Sequence, residues 1–170
     1  MPAFSKAAGC RAEPYGLSGA LRRENMRETG RIAPERGRKM LDRQAVLRTL
    51  RSLALPREQF WVCSGAALVL HGVKKLTQDI DLGVTTQLLE KMLCQGHPFR
   101  RSVRDGTRIV DVCAGVEALE NWGAFSEKLL VAGFQVETLE SIRHQKALLG
   151  REKDLRDIIA IDRFLQMGKL

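Results

Sequence analysis

The stretch of residues 60–84 constrains the fold of this 170-residue chain more than any other part. It begins with an apolar run, Phe60–Cys63, whose length and whose aromatic and β-branched residues are typical of a buried strand. Ser64-Gly65 follows at once and begins a helix of small and apolar residues, which ends at Gly72. Residues 77–84 then alternate between polar and apolar. The stretch therefore predicts a strand, a short helix and a second strand.

The second predicted strand places two carboxylates side by side. Strand side chains point to opposite faces with period two, so Asp79 and Asp81 share one face. Two like charges about 4 Å apart repel by about 4 kcal/mol at an effective dielectric constant near 20. Mg²⁺ would remove this repulsion, because it takes carboxylate oxygens together with substrate phosphates. The alternative is a solvated strand edge, which is the commoner role of an isolated Asp-x-Asp pair.

The order of these residues resembles a known signature. Ser64-Gly65, thirteen further residues and then Asp79-Ile80-Asp81 resemble the signature of the DNA polymerase β-like nucleotidyltransferase superfamily. The run is similar to the small prokaryotic members, including the AbiEii-type toxin nucleotidyltransferases. Those proteins usually carry Gly where this chain has Ser64, and Arg where it has Lys75. The resemblance covers roughly residues 59–166.

The resemblance implies a nucleotidyltransferase fold, and the order of predicted elements agrees with it. We expect an α/β (α+β) domain with a mixed sheet and flanking helices. The family likeness implies that Asp79 and Asp81 hold Mg²⁺, or Mn²⁺, on a nucleoside triphosphate. Backbone N–H groups at the start of a helix bind phosphate oxygens. The nucleotide site is therefore expected to include Ser64, Gly65, Lys75 and Thr77.

A third carboxylate is expected on a later strand. Asp105-Gly106 is a strong hairpin signal, and residues 99–103 and 107–113 flank it. Asp111 lies in an otherwise apolar strand, where a charge is uncommon unless it is paired or bound to metal. In the resembled family a third carboxylate comes from a strand paired beside the Asp-x-Asp strand, and Asp111 is the match. The alternative is an edge-strand residue facing water.

A second patch of similarity lies near the end of the chain. Lys146, the run Gly150-Arg151-Glu152-Lys153-Asp154 and Asp157 resemble the C-terminal segment of the small nucleotidyltransferases. Lys146 and Lys153 would then contact triphosphate oxygens or pair with the carboxylate cluster. The alternative is that both are charges on a helix surface.

The remaining elements are predicted from periodicity and breakers. Helices are expected over residues 42–53, 86–95 and 139–149, the first ended by Pro56, and a short helix is expected within 116–125. Residues 128–136 are predicted to be one strand with a bulge at Gly133. The last helix is expected to bury a stripe of four apolar residues, Leu155, Ile158, Ile159 and Leu165. Cys63 and Cys113 are expected to be buried thiols.

Charge and composition bear on the partners and on domain organisation. The net charge of +8 favours polyanions such as nucleotides or nucleic acid. Residues 1–39 carry much of this charge and are predicted to be a disordered basic tail, with residues 40–170 as the nucleotidyltransferase-like domain. The tail could be a nucleic-acid-binding arm, a solvated segment without a role, or translated sequence ahead of the true start. Scattered cysteines without a CxxC pair indicate a reducing cytoplasm, and no membrane partner is expected.

Two functional hypotheses follow. The first is a metal-dependent enzyme that moves a nucleoside monophosphate from a nucleoside triphosphate to a hydroxyl of RNA (such as tRNA), of a protein or of a small molecule, in a toxin–antitoxin context with a cognate antitoxin. The second is a non-catalytic module of the same fold that serves as an antitoxin, a regulatory partner or an RNA binder.

Overall fold

A computed structural model describes residues 39–168 of the chain. The predicted basic tail falls almost entirely on residues 1–38, which lie outside the described residues. The described part contains five helices and seven strands. In chain order they are α1 (Arg43–Ser52), β1 (Phe60–Cys63), α2 (Ser64–His71), β2 (Ile80–Val84), α3 (Thr86–Cys94), β3 (Phe99–Arg101), β4 (Arg108–Cys113), β5 (Val116–Glu120), β6 (Lys128–Val131), β7 (Phe134–Glu137), α4 (Leu139–Leu149) and α5 (Glu152–Met167).

All seven strands form one mixed sheet with the order β3-β4-β5-β2-β1-β7-β6. β1 and β2 are antiparallel, whereas β2 pairs with β5, and β1 with β7, in parallel. The α/β (α+β) class with a mixed sheet and flanking helices is therefore confirmed. Among residues 39–168, no helix combines the length and the apolar character needed to cross a membrane.

The core lies between the central strands and the helices that cover them. Ile80, Leu82 and Val84 of β2 are fully buried, as the alternation of this strand predicts. The small residues of α2 let it lie close to the sheet, so that the whole run 66–70 is buried. Apolar contacts hold β2 and α2 in place, so the start of α2 and the start of β2 are both fixed beside Asp81.

Most helix boundaries follow from their capping residues. The side chains of Asp42, Thr85 and Thr138 accept hydrogen bonds from backbone N–H groups in the first turns of α1, α3 and α4. Gly72 ends α2 and Gly150 ends α4, and both adopt the left-handed conformation that glycine tolerates best. The predicted bounds of α2, α3 and α4 agree with the structure within one residue, and α1 ends at Ser52, ahead of Pro56.

Two predictions for the middle of the chain were wrong. The expected short helix within residues 116–125 is instead β5, because Val116 and Ala118 alternate with polar neighbours and bury themselves in the core. Residues 128–136 form the hairpin β6–β7 and not one bulged strand. Ala132 and Gly133 both have positive φ there (50° and 82°), which is the backbone of a tight hairpin turn.

Two burial predictions also need correction. In α5 the buried face carries Asp154 and Ile161, whereas Leu155 and Ile159 of the predicted stripe are about half exposed. Cys63 is buried as predicted, but Cys113 is exposed at the end of β4. The stripe was misjudged because a buried charge occupies the helix face that an apolar residue usually takes.

Candidate functional site

The turn between β1 and α2 brings the helix start to the end of the sheet. Ser64 has φ of 56°, in the left-handed region where a non-glycine residue is uncommon. Its neighbour Gly65 lies so close to Thr77 that an added Cβ would be 2.8 Å from Thr77 Oγ1. Thr77 is buried, and its hydroxyl donates to the backbone oxygen of Asp79 at 3.1 Å. Gly65 therefore sets the distance between the helix start and the first carboxylate.

Replacing Gly65 with alanine is expected to lower the free energy of unfolding by about 1–3 kcal/mol, because the new methyl group overpacks against Thr77. Urea denaturation of Gly65→Ala measures this loss. The same substitution in a Thr77→Ala background, where the crowding hydroxyl is gone, should cost distinctly less. An equal cost in the two backgrounds would contradict the contact.

Asp79 and Asp81 lie at the start of β2 and border the same cavity. Burial and the neighbouring charge of Asp79 together raise the pKa of Asp81 to about 6, against a hydrogen bond donated by the Ser64 hydroxyl. Among residues 39–168, neither carboxylate forms an ion pair. The two acids therefore repel each other, and the charges of Lys153 and Arg151 act on Asp81 only from beyond ion-pair distance.

The register of the sheet shows where a third carboxylate lies. Asp81 on β2 is directly opposite Glu117 on β5, and Glu117 is directly opposite Asp111 on β4. The strand of Asp111 is therefore not paired beside β2, contrary to prediction. Strands are about 4.8 Å apart, so the Cα atoms of Asp111 and Asp81 are separated by about 10 Å. Glu117 is the acidic residue next to Asp81, and its charge contributes to the raised pKa of that carboxyl.

One arginine holds both acids of the neighbouring strands. Arg100 on β3 contacts Asp111 Oδ1 at 3.1 Å and Glu117 Oε2 at 2.8 Å. The Asp111 side chain is about half exposed, whereas that of Glu117 is one-third exposed and lines the same cavity as Asp81. Within the described part of the chain, no three His, Cys, Asp or Glu side chains are arranged to hold a metal ion. Asp111 instead borders, with Asp79, a smaller cavity beside the β4–β5 turn.

Sequence reasoning missed Glu117 because residues 116–125 were taken as helical. The signal was present in the alternation Val116-Glu117-Ala118, a strand pattern that places Glu117 on the face opposite to its two apolar neighbours. Pairing with β2, however, depends on the order of strands in the sheet. That order cannot be obtained from local periodicity.

The α4–α5 junction supplies the opposite wall. The Lys146 side chain is buried, and its Nζ lies 3.0 Å from Asp154 Oδ1 and 2.8 Å from Asp157 Oδ2. Burial alone would raise the pKa of Asp154, but hydrogen bonds from Arg151 and Lys146 outweigh it and lower the pKa to about 2. Lys146 is therefore already neutralised by two carboxylates. Of the alternatives for this residue, a helix-surface charge is wrong. An ion pair does form, but with two acids of α5 and not with the predicted carboxylate cluster.

Together these elements enclose one cavity of about 690 Å³, which we call the polar cleft. Of the residues predicted for nucleotide binding, Lys75 is exposed and does not line the cleft, whereas its neighbour Lys74 does. Five predicted residues are brought together with the two aspartates: Ser64, Gly65, Thr77, Lys146 and Lys153. Two basic residues that were not predicted complete the wall: Arg151 and Arg156.

Among residues 39–168, the cleft charges that form no ion pair are segregated. Asp79 and Asp81 stand on the sheet side, and Lys153 and Arg156 stand on the α5 side, where neither forms an ion pair with any other residue of the range 39–168. A ligand that fits must offer positive charge to one wall and negative charge to the other. Mg²⁺ commonly uses one or two carboxylates together with substrate phosphates, so the donor set fits a metal bound with its anion and not one held by the protein alone.

Comparison of this chain with models of known protein families and with curated proteins finds no match.

Proposed function

We propose that the chain is a metal-dependent nucleotidyltransferase of the DNA polymerase β-like superfamily, and that the polar cleft binds a nucleoside triphosphate. The observation that supports this most directly is the pairing of two carboxylates, free of ion pairs within the described chain, with a facing wall of Lys153, Arg156 and Arg151. A metal–triphosphate carries both signs of charge and matches both walls.

The chain's own groups have separate tasks in this proposal. The N–H groups of Ser64 and Gly65, at the start of α2, bind phosphate oxygens through hydrogen bonds and the helix dipole. Lys153 and Arg151 neutralise the remaining charge of the triphosphate from the other wall. Lys146 acts indirectly, since its ion pairs with Asp154 and Asp157 fix the position of the α5 start.

Asp79 and Asp81 would hold Mg²⁺ or Mn²⁺, and the bound ion would neutralise part of the triphosphate charge. The acceptor oxygen then attacks the α-phosphorus, the bond to the bridging oxygen breaks, and pyrophosphate leaves. The proton of the acceptor hydroxyl must pass to a carboxylate beside the metal site. Glu117 is the nearest candidate, because its strand is the neighbour of β2, and it replaces the role first predicted for Asp111.

Calorimetric titration with Mg²⁺ and ATP or CTP tests the binding step. We expect binding by the wild-type chain and loss of at least 100-fold in affinity in Asp79→Ala and in Asp81→Ala, on the scale of a lost metal–phosphate interaction of about 3 kcal/mol. Asp162→Ala is the matched control, since this exposed aspartate pairs with Arg143 away from the cleft. Unchanged binding in both cleft variants would contradict the proposal.

Transfer itself is tested with labelled triphosphates and Mg²⁺ against total RNA and total protein. Glu117→Gln should abolish labelling while nucleotide binding persists. Asp111→Asn should retain most of the labelling. The second candidate function, a non-catalytic binding module, is favoured by the contact of Arg100 with both Asp111 and Glu117 and by the missing three-ligand group among residues 39–168. Nucleotide binding without any labelled product would select it.

A further inference from the structure

A second cavity adjoins the polar cleft on the other side of Asp81. It has a volume of about 540 Å³ and shares Ser64, Asp81 and Arg151 with the cleft. We call it the Trp122 pocket. Its apolar wall consists of Trp122, Leu119, Leu148 and Leu149.

The two cavities differ in chemistry although they share an edge. The polar cleft is lined mainly by charged groups, whereas the Trp122 pocket combines a tryptophan and three leucines with seven polar or charged residues. Arg104 closes one side of the pocket by donating to the backbone oxygens of Leu148 and Leu149, at 3.1 and 3.5 Å. A single ligand that spans both cavities must therefore have an anionic part and a flat apolar part. A nucleotide has this composition, with phosphates at one end and a base at the other.

One polar group of the Trp122 pocket is held in a fixed orientation. The side-chain amide nitrogen of Gln145 donates to Glu137 Oε1 at 2.5 Å and to Ser126 Oγ at 3.3 Å. Glu137 is fully buried at the end of β7, and burial raises its pKa to about 7. At higher pH it is a carboxylate, which can only accept a hydrogen bond from this amide. The nitrogen of Gln145 therefore faces Glu137, and its oxygen is directed away from it. Within residues 39–168 that oxygen accepts no hydrogen bond, and Gln145 lines the pocket, so the oxygen is free to accept one from a ligand.

We propose that the Trp122 pocket holds the base of the nucleotide whose phosphates occupy the polar cleft, and that Gln145 Oε1 selects bases with an amino group on their hydrogen-bonding edge. This inference rests on the proposed function. The amide oxygen accepts a hydrogen bond from an exocyclic amine such as that of cytosine or adenine. An oxo group at the same place would instead put two acceptors face to face. A pocket that hydrogen-bonds one ligand group discriminates strongly against an analogue without it, because the protein group is left unpaired.

The test compares ligand pairs that differ mainly in this group. Dissociation constants of the full chain with Mg²⁺ are measured for CTP against UTP and for ATP against ITP. We expect the amino-bearing member of at least one pair to bind about 10-fold more tightly or better. Gln145→Met keeps the volume and removes the acceptor, so the preference should fall to near unity. Glu137→Gln allows either orientation of the Gln145 amide and should also reduce the preference, although Glu137 does not line the pocket.

Inorganic tripolyphosphate separates the two cavities. Trp122→Ala should weaken CTP and ATP binding by about 10-fold or more, on the scale of base stacking on an aromatic side chain, and leave tripolyphosphate binding unchanged. Leu148→Ala is a second variant with little risk to folding, because this side chain is largely exposed at the pocket rim. It should act in the same direction with a smaller effect.

The outcomes distinguish this inference from the proposed function. Tight binding of all four triphosphates without preference, and without an effect of Trp122→Ala, would overturn the base pocket and leave the triphosphate cleft in place. A preference that survives both Gln145→Met and Glu137→Gln would overturn the role of the amide oxygen. Absence of binding by every triphosphate and by tripolyphosphate would overturn the proposed function and this inference with it.

Discussion

Replacing Lys146 with methionine is expected to lower the free energy of unfolding by about 3–5 kcal/mol at pH 7, the scale of breaking a buried ion pair by removing one partner. The Lys146 side chain is only 6% exposed and Asp154 is 0% exposed. Methionine keeps the length of the side chain but leaves the carboxylates of Asp154 and Asp157 without their shared cation. Chemical denaturation at constant pH measures the loss.

The matched control is an ion pair on the surface. Arg143 and Asp162 also join α4 to α5, with a distance of 2.6 Å, but their side chains are 46% and 39% exposed. Arg143→Met should therefore cost less than about 1 kcal/mol, because water screens an exposed pair. Equal losses in Lys146→Met and Arg143→Met would show that the buried network does not stabilise the α4–α5 junction as the contacts suggest.

The same network gives a pH dependence with a definite sign. The pKa of Asp154 is lowered to about 2 in the folded chain, from 3.8 for an unperturbed aspartate. A lowered pKa stabilises the fold above the unperturbed value, and this contribution disappears as pH falls from about 4 to about 2. Lys146→Met removes one of the two cations that lower it, so the acid-sensitive part of the stability should shrink in this variant.

The contrast between Lys146 and Asp111 shows how far sequence reasoning reached. Lys146 and Lys153 were predicted from the resemblance of one short segment, and the short connection between α4 and α5 keeps both residues near the cleft. Asp111 was selected by a local pattern in a strand, but its place relative to Asp81 depends on which strands become neighbours. β5 is inserted between them, and its pairing with β2 is parallel, over 30 residues away in sequence. No local periodicity contains that pairing.

The buried charges were also beyond sequence reasoning. Apolar periodicity predicted a stripe of leucine and isoleucine for α5, because burial of an aspartate is unfavourable unless partners are present. The partners of Asp154 come from α4 and from the connection to it, so its burial can be understood only after both helices are packed. Glu137 is a second case, since nothing in the neighbouring sequence distinguishes it from an exposed residue of a hairpin.

Glu137 leads to the second large effect on stability. Its carboxyl is 0% exposed, and Oε2 has no hydrogen-bond partner in the described chain. Burial raises its pKa to about 7 from 4.5, against hydrogen bonds from Ser126 and Gln145 and the nearby charge of Lys128. Because the folded pKa is raised, the neutral acid is the form that suits the fold. The contribution of Glu137 to stability is therefore largest below about pH 4.5 and falls as pH rises through 7.

Glu137→Gln removes this titration and leaves the other ionisable groups in place. A pKa shift of this size corresponds to about 3 kcal/mol. We therefore expect the difference in unfolding free energy between variant and wild type to move by about 2–3 kcal/mol in favour of the variant between pH 5 and pH 9, as measured by urea denaturation at several pH values. Any fixed cost of burying the new amide shifts the whole difference but not its slope. Asp81 titrates in a similar range, but it does so in both proteins and cancels. Parallel stability curves for the two proteins would show that the protonation of Glu137 does not change on folding in this range, which would contradict the raised pKa.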